Sequence, residues 1–212
     1  MIAIGFLAGC GDSSGPSSKV TASVSDATGD TFGSGLQWDA TGLTVTRDTG
    51  GVDVALDFTA TTLSAAGGTV YPTTAIVEFD TDQDSTTGDP ALVDFFRPNI
   101  GSTGMGVEFA ITVDSLVNVV DVVHSASAGT VPPVFSGKRV SFRIPRAMLG
   151  GDDGFLNAAA TVGNDTFPTD IVPNNGHLKV GGIGPVAPYM PTASMRRPNV
   201  QPVIPLPWKR TQ

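Results

Sequence analysis

Cysteine is almost missing from this chain: Cys10 is the only one, so no disulfide can form within it. Glutamate is nearly missing as well. Of the 20 acidic residues only Glu78 and Glu108 are glutamates, and an aspartate-dominated chain favours turns and hard-cation sites over helix surfaces. Basic residues number 12 against those 20, a net charge of -8, which excludes the clustered basic face that nucleic-acid binding requires. No stretch approaches the ~18 consecutive apolar residues of a spanning helix, so any membrane contact is expected through an anchor. Catalytic signatures are absent too: there are two histidines, no Gly-x-Ser-x-Gly elbow and no His-Glu-x-x-His pair, and the segment from Gly101 to Gly106 lacks the lysine of a phosphate-cradling loop. The chain is expected not to be an enzyme.

What is present points to strands. Glycine (26) and proline (16) are abundant, threonine and valine recur throughout, and such a balance favours sheets over long helices. Val52, Val54, Leu56 and Phe58 alternate with Asp53, Ala55 and Asp57, while Ala75, Val77 and Phe79 alternate with Ile76 and Glu78. Met105, Val107, Phe109, Ile111 and Val113 form the longest alternation, with Glu108 on its polar side. Further strands are read at Val117–Val123, Val140–Ile144 and Leu156–Val162, with weaker ones near Val20 and Leu43. The expectation is an all-β fold, an antiparallel β-sandwich of jelly-roll or immunoglobulin-like type with about eight strands. A short helical turn is expected only at Pro145–Leu149, stopped by Gly150-Gly151.

The chain divides by composition. Residues 20–180 carry the alternation, whereas 181–212 hold seven prolines from Pro185 onward and the basic Arg196, Arg197, Lys209 and Arg210. Proline blocks ladder pairing and helix alike, so this stretch is expected to be a disordered tail. At the other end, Leu7-Ala8-Gly9-Cys10 resembles the lipobox of bacterial lipoproteins. That resemblance implies a signal remnant at 1–9, diacylglycerol on Cys10, and a location in the cell envelope. The small polar residues of 10–19 suit a flexible tether between anchor and domain.

The densest chemical signal is Asp80-Thr81-Asp82-Gln83-Asp84-Ser85-Thr86-Thr87-Gly88-Asp89. Carboxylates at alternate positions of a tight loop can turn inward around one ion, and calcium, which takes six to eight oxygens, fits such a set better than magnesium or zinc. Asp80, Asp82, Asp84 and Asp89 are the expected ligands of Ca2+. The loop is not an EF-hand, since Ser85 and Ala91 stand at its sixth and twelfth positions.

The strand and loop Ile76–Asp84, the segment Arg143-Ile144-Pro145 through Gly154, and Asp170–Asn174 together resemble bacterial extracellular modules related to family-9 carbohydrate-binding and DOMON-like domains. The resemblance implies a sandwich that holds calcium and binds sugar or, in some members, haem. Sugar would stack on Trp38 or Tyr71, which are the only Trp and Tyr of residues 20–180; the better readings are a packed sandwich tryptophan for Trp38 beside Asp39 and a loop residue for Tyr71 before Pro72. A haem would need Met105 and His124, for which core packing and solvation are the better readings. Two classes follow: a membrane-anchored binding module for a glycan or surface protein, or an accessory lipoprotein whose sandwich is a scaffold.

Mass spectrometry of the mature protein from bacterial membranes is expected to show an acylated Cys10. A Cys10→Ser variant should leave the membrane fraction, and an unmodified chain retaining Met1 would contradict the reading.

Overall fold

The structure is a computed structural model, and it describes residues 19–32, 38–66, 69–72, 74–96, 102–150, 154–163 and 168–181. Cys10, the tether before Lys19 and the tail after Gly181 lie outside the described residues.

Two antiparallel sheets face each other. The first contains β1 (Val20–Ser25), β2 (Ala40–Asp48), β3 (Gly51–Phe58), β12 (Val134–Ser136) and β13 (Arg139–Pro145), in the order β1-β2-β3-β13-β12. The second contains β6 (Thr74–Asp80), β9 (Phe109–Val113), β10 (Val117–Asp121), β11 (Ala126–Val131), β14 (Leu156–Gly163), β15 (Pro168–Val172) and β16 (Leu178–Val180). Its order is β11-β10-β9-β6-β14-β15, with β16 also paired to β14. Two short pairs stand apart, β4 (Leu63–Ala66) with β5 (Thr69–Pro72) and β7 (Asp89–Pro90) with β8 (Gly106–Val107). The all-β sandwich read from the sequence is the fold observed.

Alternation explains which face goes inward. Val52, Val54, Leu56 and Phe58 of β3 meet Val77, Phe79, Phe109 and Ile111 of the second sheet in one apolar core, while Asp53, Ala55 and Asp57 turn outward. The turn between β2 and β3 is set by Asp48, whose Oδ1 accepts the backbone N–H groups of Gly50 at 2.7 Å and Gly51 at 3.1 Å. That is the local bonding for which aspartate is favoured in turns. On the outward face, Arg139 holds Asp57 through two nitrogens, both at 2.7 Å, and Arg143 bridges Asp53 at 2.8 Å and Asp48 at 2.6 Å. Arg139 and Arg143 stand directly opposite Asp57 and Asp53 across β13 and β3, so these pairs suit the observed register.

The expected strand from Met105 to Val113 is two pieces. Phe109, Ile111 and Val113 enter the sandwich core, whereas Met105 and Val107 belong to a second cluster with Ala91, Val93, Val122, Ala159 and Ile171. The physical reason is an interruption at Glu108. Its backbone N–H bonds to Phe79 O at 3.0 Å, and the residues before it pair with β7 instead of following the sheet. Between β6 and β9, adjacent strands of one sheet, the chain runs out as a strap across the outer face of that sheet. This strap contains β7, a single short helix α1 (Leu92–Phe96) and β8.

The strap accounts for a strand that alternation describes poorly. All residues of β14 are buried, on both faces, and its sequence Leu-Asn-Ala-Ala-Ala-Thr-Val-Gly is correspondingly small and continuous. The helical turn expected at Pro145–Leu149 is a 3-10 turn at Arg146–Met148. Helix α1 was not foreseen. Five residues are too few to show a helical period, and its stability comes from packing and capping by the sheet below.

Ile111, fully buried between the sheets, is expected to cost about 2–5 kcal/mol on substitution by alanine, through lost transfer energy and a cavity. Val134, 59 % exposed on the edge strand, should cost no more than about 0.5 kcal/mol. Urea unfolding of both variants checks the contrast.

Candidate functional site

The two ends of the strap meet. Thr81, its first residue, donates its backbone N–H to Oε2 of Glu108 at 2.8 Å, although the two lie 27 residues apart in the chain. Asp80 ends β6 at the same place, and carboxylate oxygens of Asp80, Asp82 and Glu108 lie within 4.8 Å of one another. Asp80 is fully buried. Its Oδ2 accepts from Asn157 Nδ2 at 3.0 Å, whereas its Oδ1 has neither solvent nor a hydrogen-bond partner. A buried acceptor left unmade costs about 1–3 kcal/mol, more when charged.

The loop holds these carboxylates with few protons. Thr87 Oγ1 stands 2.9 Å from Asp82 Oδ2, 3.0 Å from Asp82 Oδ1, 2.8 Å from Asp84 O and 3.2 Å from Glu108 Oε1. One hydroxyl carries one proton, so it serves only one of these oxygens at a time. Burial pushes the Glu108 carboxyl up to about 7; the Thr81 N–H opposes this, and Asp82 and Asp80 reinforce it. Two glycines let the strap close. A Cβ on Gly88, whose φ is +64°, would lie 2.3 Å from Val107 O, and one on Gly106 would lie 2.1 Å from Thr87 O.

Of the four aspartates expected as ligands, Asp80 and Asp82 belong to this cluster, while Asp84 and Asp89 are placed otherwise. Asp84 Oδ1 accepts the backbone N–H of Thr86 at 2.9 Å and its hydroxyl at 2.6 Å, which makes Asp84 the organiser of the tip. Those bonds hold its carboxyl below the usual aspartate value. Asp89 opens β7, opposite Val107. The third carboxylate is Glu108, which the sequence reading left on the polar side of a strand. Its one signal was rarity, as one of two glutamates in the chain. Three carboxylates with a buried, unmade acceptor could hold a hard cation.

Trp38 does not offer a sugar platform. It is 3 % exposed, packs edge-on against Phe58 with ring centroids 6.4 Å apart, and has its backbone N–H bonded to Thr169 Oγ1 at 3.1 Å. Its ring fills the core, which is the packed reading of the sequence and not the ligand-stacking alternative. The side chain of Tyr71 lies outside the described residues. Met105, itself part of the strap, is buried in the second cluster, and His124 is exposed with its Nδ1 2.7 Å from Asp121 Oδ2, the packing and solvation expected of them.

A second carboxylate group, Asp26, Asp30 and Asp170, also lies within 4.8 Å. Its members bond within the fold, yet Asp26 Oδ2 is buried without a hydrogen-bond partner just as Asp80 Oδ1 is. Asp170 accepts the backbone N–H groups of Ala40 at 2.8 Å and Ile171 at 2.9 Å, and Asn174 Nδ2 bonds to both Asp26 and Asp30. Burial raises Asp170 to about 7, with Asp26 and Asp30 adding to the shift, and raises Asp26 to about 6, with Asp30 adding.

A carboxyl whose pKa is raised in the folded state binds its proton more tightly there than when unfolded. Its contribution is complete below the unfolded value and disappears as pH rises through the folded one. In chelator, stability is therefore expected to fall between pH 3.8 and about 6 through Asp26, and up to about 7 through Asp170. Asp26→Asn should flatten the lower part of that fall, which urea midpoints across the pH series would measure.

No protein-family model matches this chain, and neither a curated protein nor a solved structure matches it significantly.

Proposed function

We propose that this chain is an extracytoplasmic module, anchored to a bacterial membrane through lipidated Cys10, whose β-sandwich presents a strap clasped by calcium. The observation that supports the clasp is the buried, unpartnered Oδ1 of Asp80 beside Asp82 and Glu108. A divalent ion there would compensate three carboxylates at once and join the start of the strap to its return. Backbone carbonyls or water would complete its shell.

For the role of the module, one observation favours the accessory scaffold over the glycan binder. The outward face of the first sheet carries Thr44, Thr46, Ala55, Ser141 and the Arg–Asp pairs, with Pro132 and the exposed Val134 at its edge, and no Trp or Tyr ring among its described residues. Stacking on a pyranose needs a flat exposed ring. Such a surface is read as a solvated wall, and a glycan array on residues 20–180 that shows saturable, specific binding would overturn that reading.

Calcium is expected to raise the melting temperature by mass action, since it binds the folded clasp better than the unfolded chain. Asp82→Ala and Glu108→Gln should each remove most of the shift. Asp84→Ala should lower stability slightly but keep the calcium response, because Asp84 organises the tip rather than the clasp. Calorimetry that finds no binding at millimolar calcium, or an equal response in the Asp84 and Glu108 variants, would defeat the proposal.

A further inference from the structure

Beneath the strap lies a cavity of about 120 Å3. Its origin is a row of unequal side chains on the outer face of the second sheet. Glu78 of β6 stands opposite Ala110 of β9, and Ala110 opposite Val120 of β10, so the smallest side chain of the row sits between the other two. Ile76 of β6 continues the floor, and Leu92 of α1 covers it from the strap. Packed interiors contain few voids larger than a water molecule, and an unfilled one forfeits dispersion contacts and stability. A largely apolar chamber of this size therefore gains from an occupant.

Glu78 is its polar end. The residue is only 4 % exposed, because the strap lies over it. Its Oε1 accepts the backbone N–H of Leu92 at 2.7 Å, whereas its Oε2 meets the N–H of Val93 only at 3.5 Å, the outer limit for such a bond. Oε2 is thus the atom with capacity to spare. Burial pushes this carboxyl up to about 7; the N–H groups of Leu92 and Val93 oppose the shift, and Asp94 and Asp89 add to it. Near neutral pH the group is therefore present both as an acid, whose O–H needs an acceptor, and as a carboxylate, which needs a donor. Asp89 also lines the chamber, beside exposed Pro90, but has an interaction of its own.

We infer that this chamber binds a short primary alcohol, whose hydroxyl meets Oε2 of Glu78 and whose hydrocarbon lies on Ile76, Ala110, Val120 and Leu92. A hydroxyl both donates and accepts, so it satisfies Glu78 in either protonation state. It also brings no charge into a site where an ion would need a fixed counter-charge. Water is the poorer occupant, since it requires about two to four polar partners and most of this wall offers none. An apolar cavity of about 150 Å3 accommodates benzene, so the present volume suits about five heavy atoms, the size of n-butanol. The site is separate from the calcium clasp, because none of Asp80, Asp82 and Glu108 lines it.

The test is a methyl NMR titration of the full chain at fixed calcium with n-butanol and its isomer methyl propyl ether, which has the same heavy-atom count but only accepts hydrogen bonds. Both are titrated at about pH 5 and about pH 9, where Glu78 is protonated and ionised respectively. The alcohol should shift the methyl signals of Ile76, Ala110 and Val120 saturably at either pH. The ether should match it within about threefold at the lower pH and bind at least about tenfold more weakly at the higher one, where it has no proton to give the carboxylate. Glu78→Gln, which keeps a donor in place at every pH, should remove that contrast and so assign it to Glu78 and not to Asp89 or Asp94. Ala110→Leu, which fills the floor, should abolish the shifts. Absence of saturable shifts with the alcohol, an ether that matches it at the higher pH, a contrast that survives Glu78→Gln, or unaltered binding in Ala110→Leu would each overturn the inference. The two-probe comparison on the unaltered chain decides even where a variant fails to fold.

Discussion

A carboxylate taken out of water must find hydrogen-bond donors, a cation or a proton, and this fold places several where donors are scarce. Asp80 and Glu78 follow the outward phase of β6, which in an ordinary sandwich would face solvent. The strap covers that face instead. Once covered, Glu78 finds the first N–H groups of α1 and Asp80 finds Asn157, but one oxygen of Asp80 finds nothing. The raised pKa of Glu108 follows from the same burial, with Asp82 and Asp80 beside it.

The same covering explains where sequence reasoning succeeded. Strands with one wet face announced themselves through alternation: β3, with its aspartates opposite valines and leucine, and β13, with Arg139, Ser141 and Arg143 opposite Val140, Phe142 and Ile144. Their polar residues remain outside and form the Arg–Asp ladders. Where a second layer intervenes, the signal fails. Met105 and Val107 share the spacing of Phe109 and Ile111 yet belong to another core, because spacing does not record a chain leaving its sheet. The edge strands β11, β12, β15 and β16 were missed for a different reason: short segments with glycine, proline or polar residues carry little period.

The site was half legible. Asp80 and Asp82 were visible from spacing in one loop, and both lie in the cluster. Asp84 shared the spacing but was claimed by its own turn, where the N–H and hydroxyl of Thr86 lie closer than any distant partner. Glu108 could not be paired with the loop from sequence, since its proximity depends on β9 lying beside β6. Trp38 was legible as a packed tryptophan, though not with its partners; its burial goes with the docking of its segment on Thr169 and Asp170 of β15.

The meeting of the strap's two ends has an evolutionary and engineering consequence. The core between the sheets contains Phe79 and Phe109 but, among the described residues, none from 81 to 107, so the packing between the sheets does not draw on the excursion. Adjacent entry and exit points make loop-closure entropy only weakly dependent on the length between them. The segment has the properties of a cassette in which length can change while the packing between the sheets stays fixed, provided that apolar residues in place of Ala91, Val93, Met105 and Val107 still cover Ala159 and Ile171. Residues at its base, Asp80, Thr81 and Glu108, mark the natural splice points for grafting a foreign loop onto this scaffold.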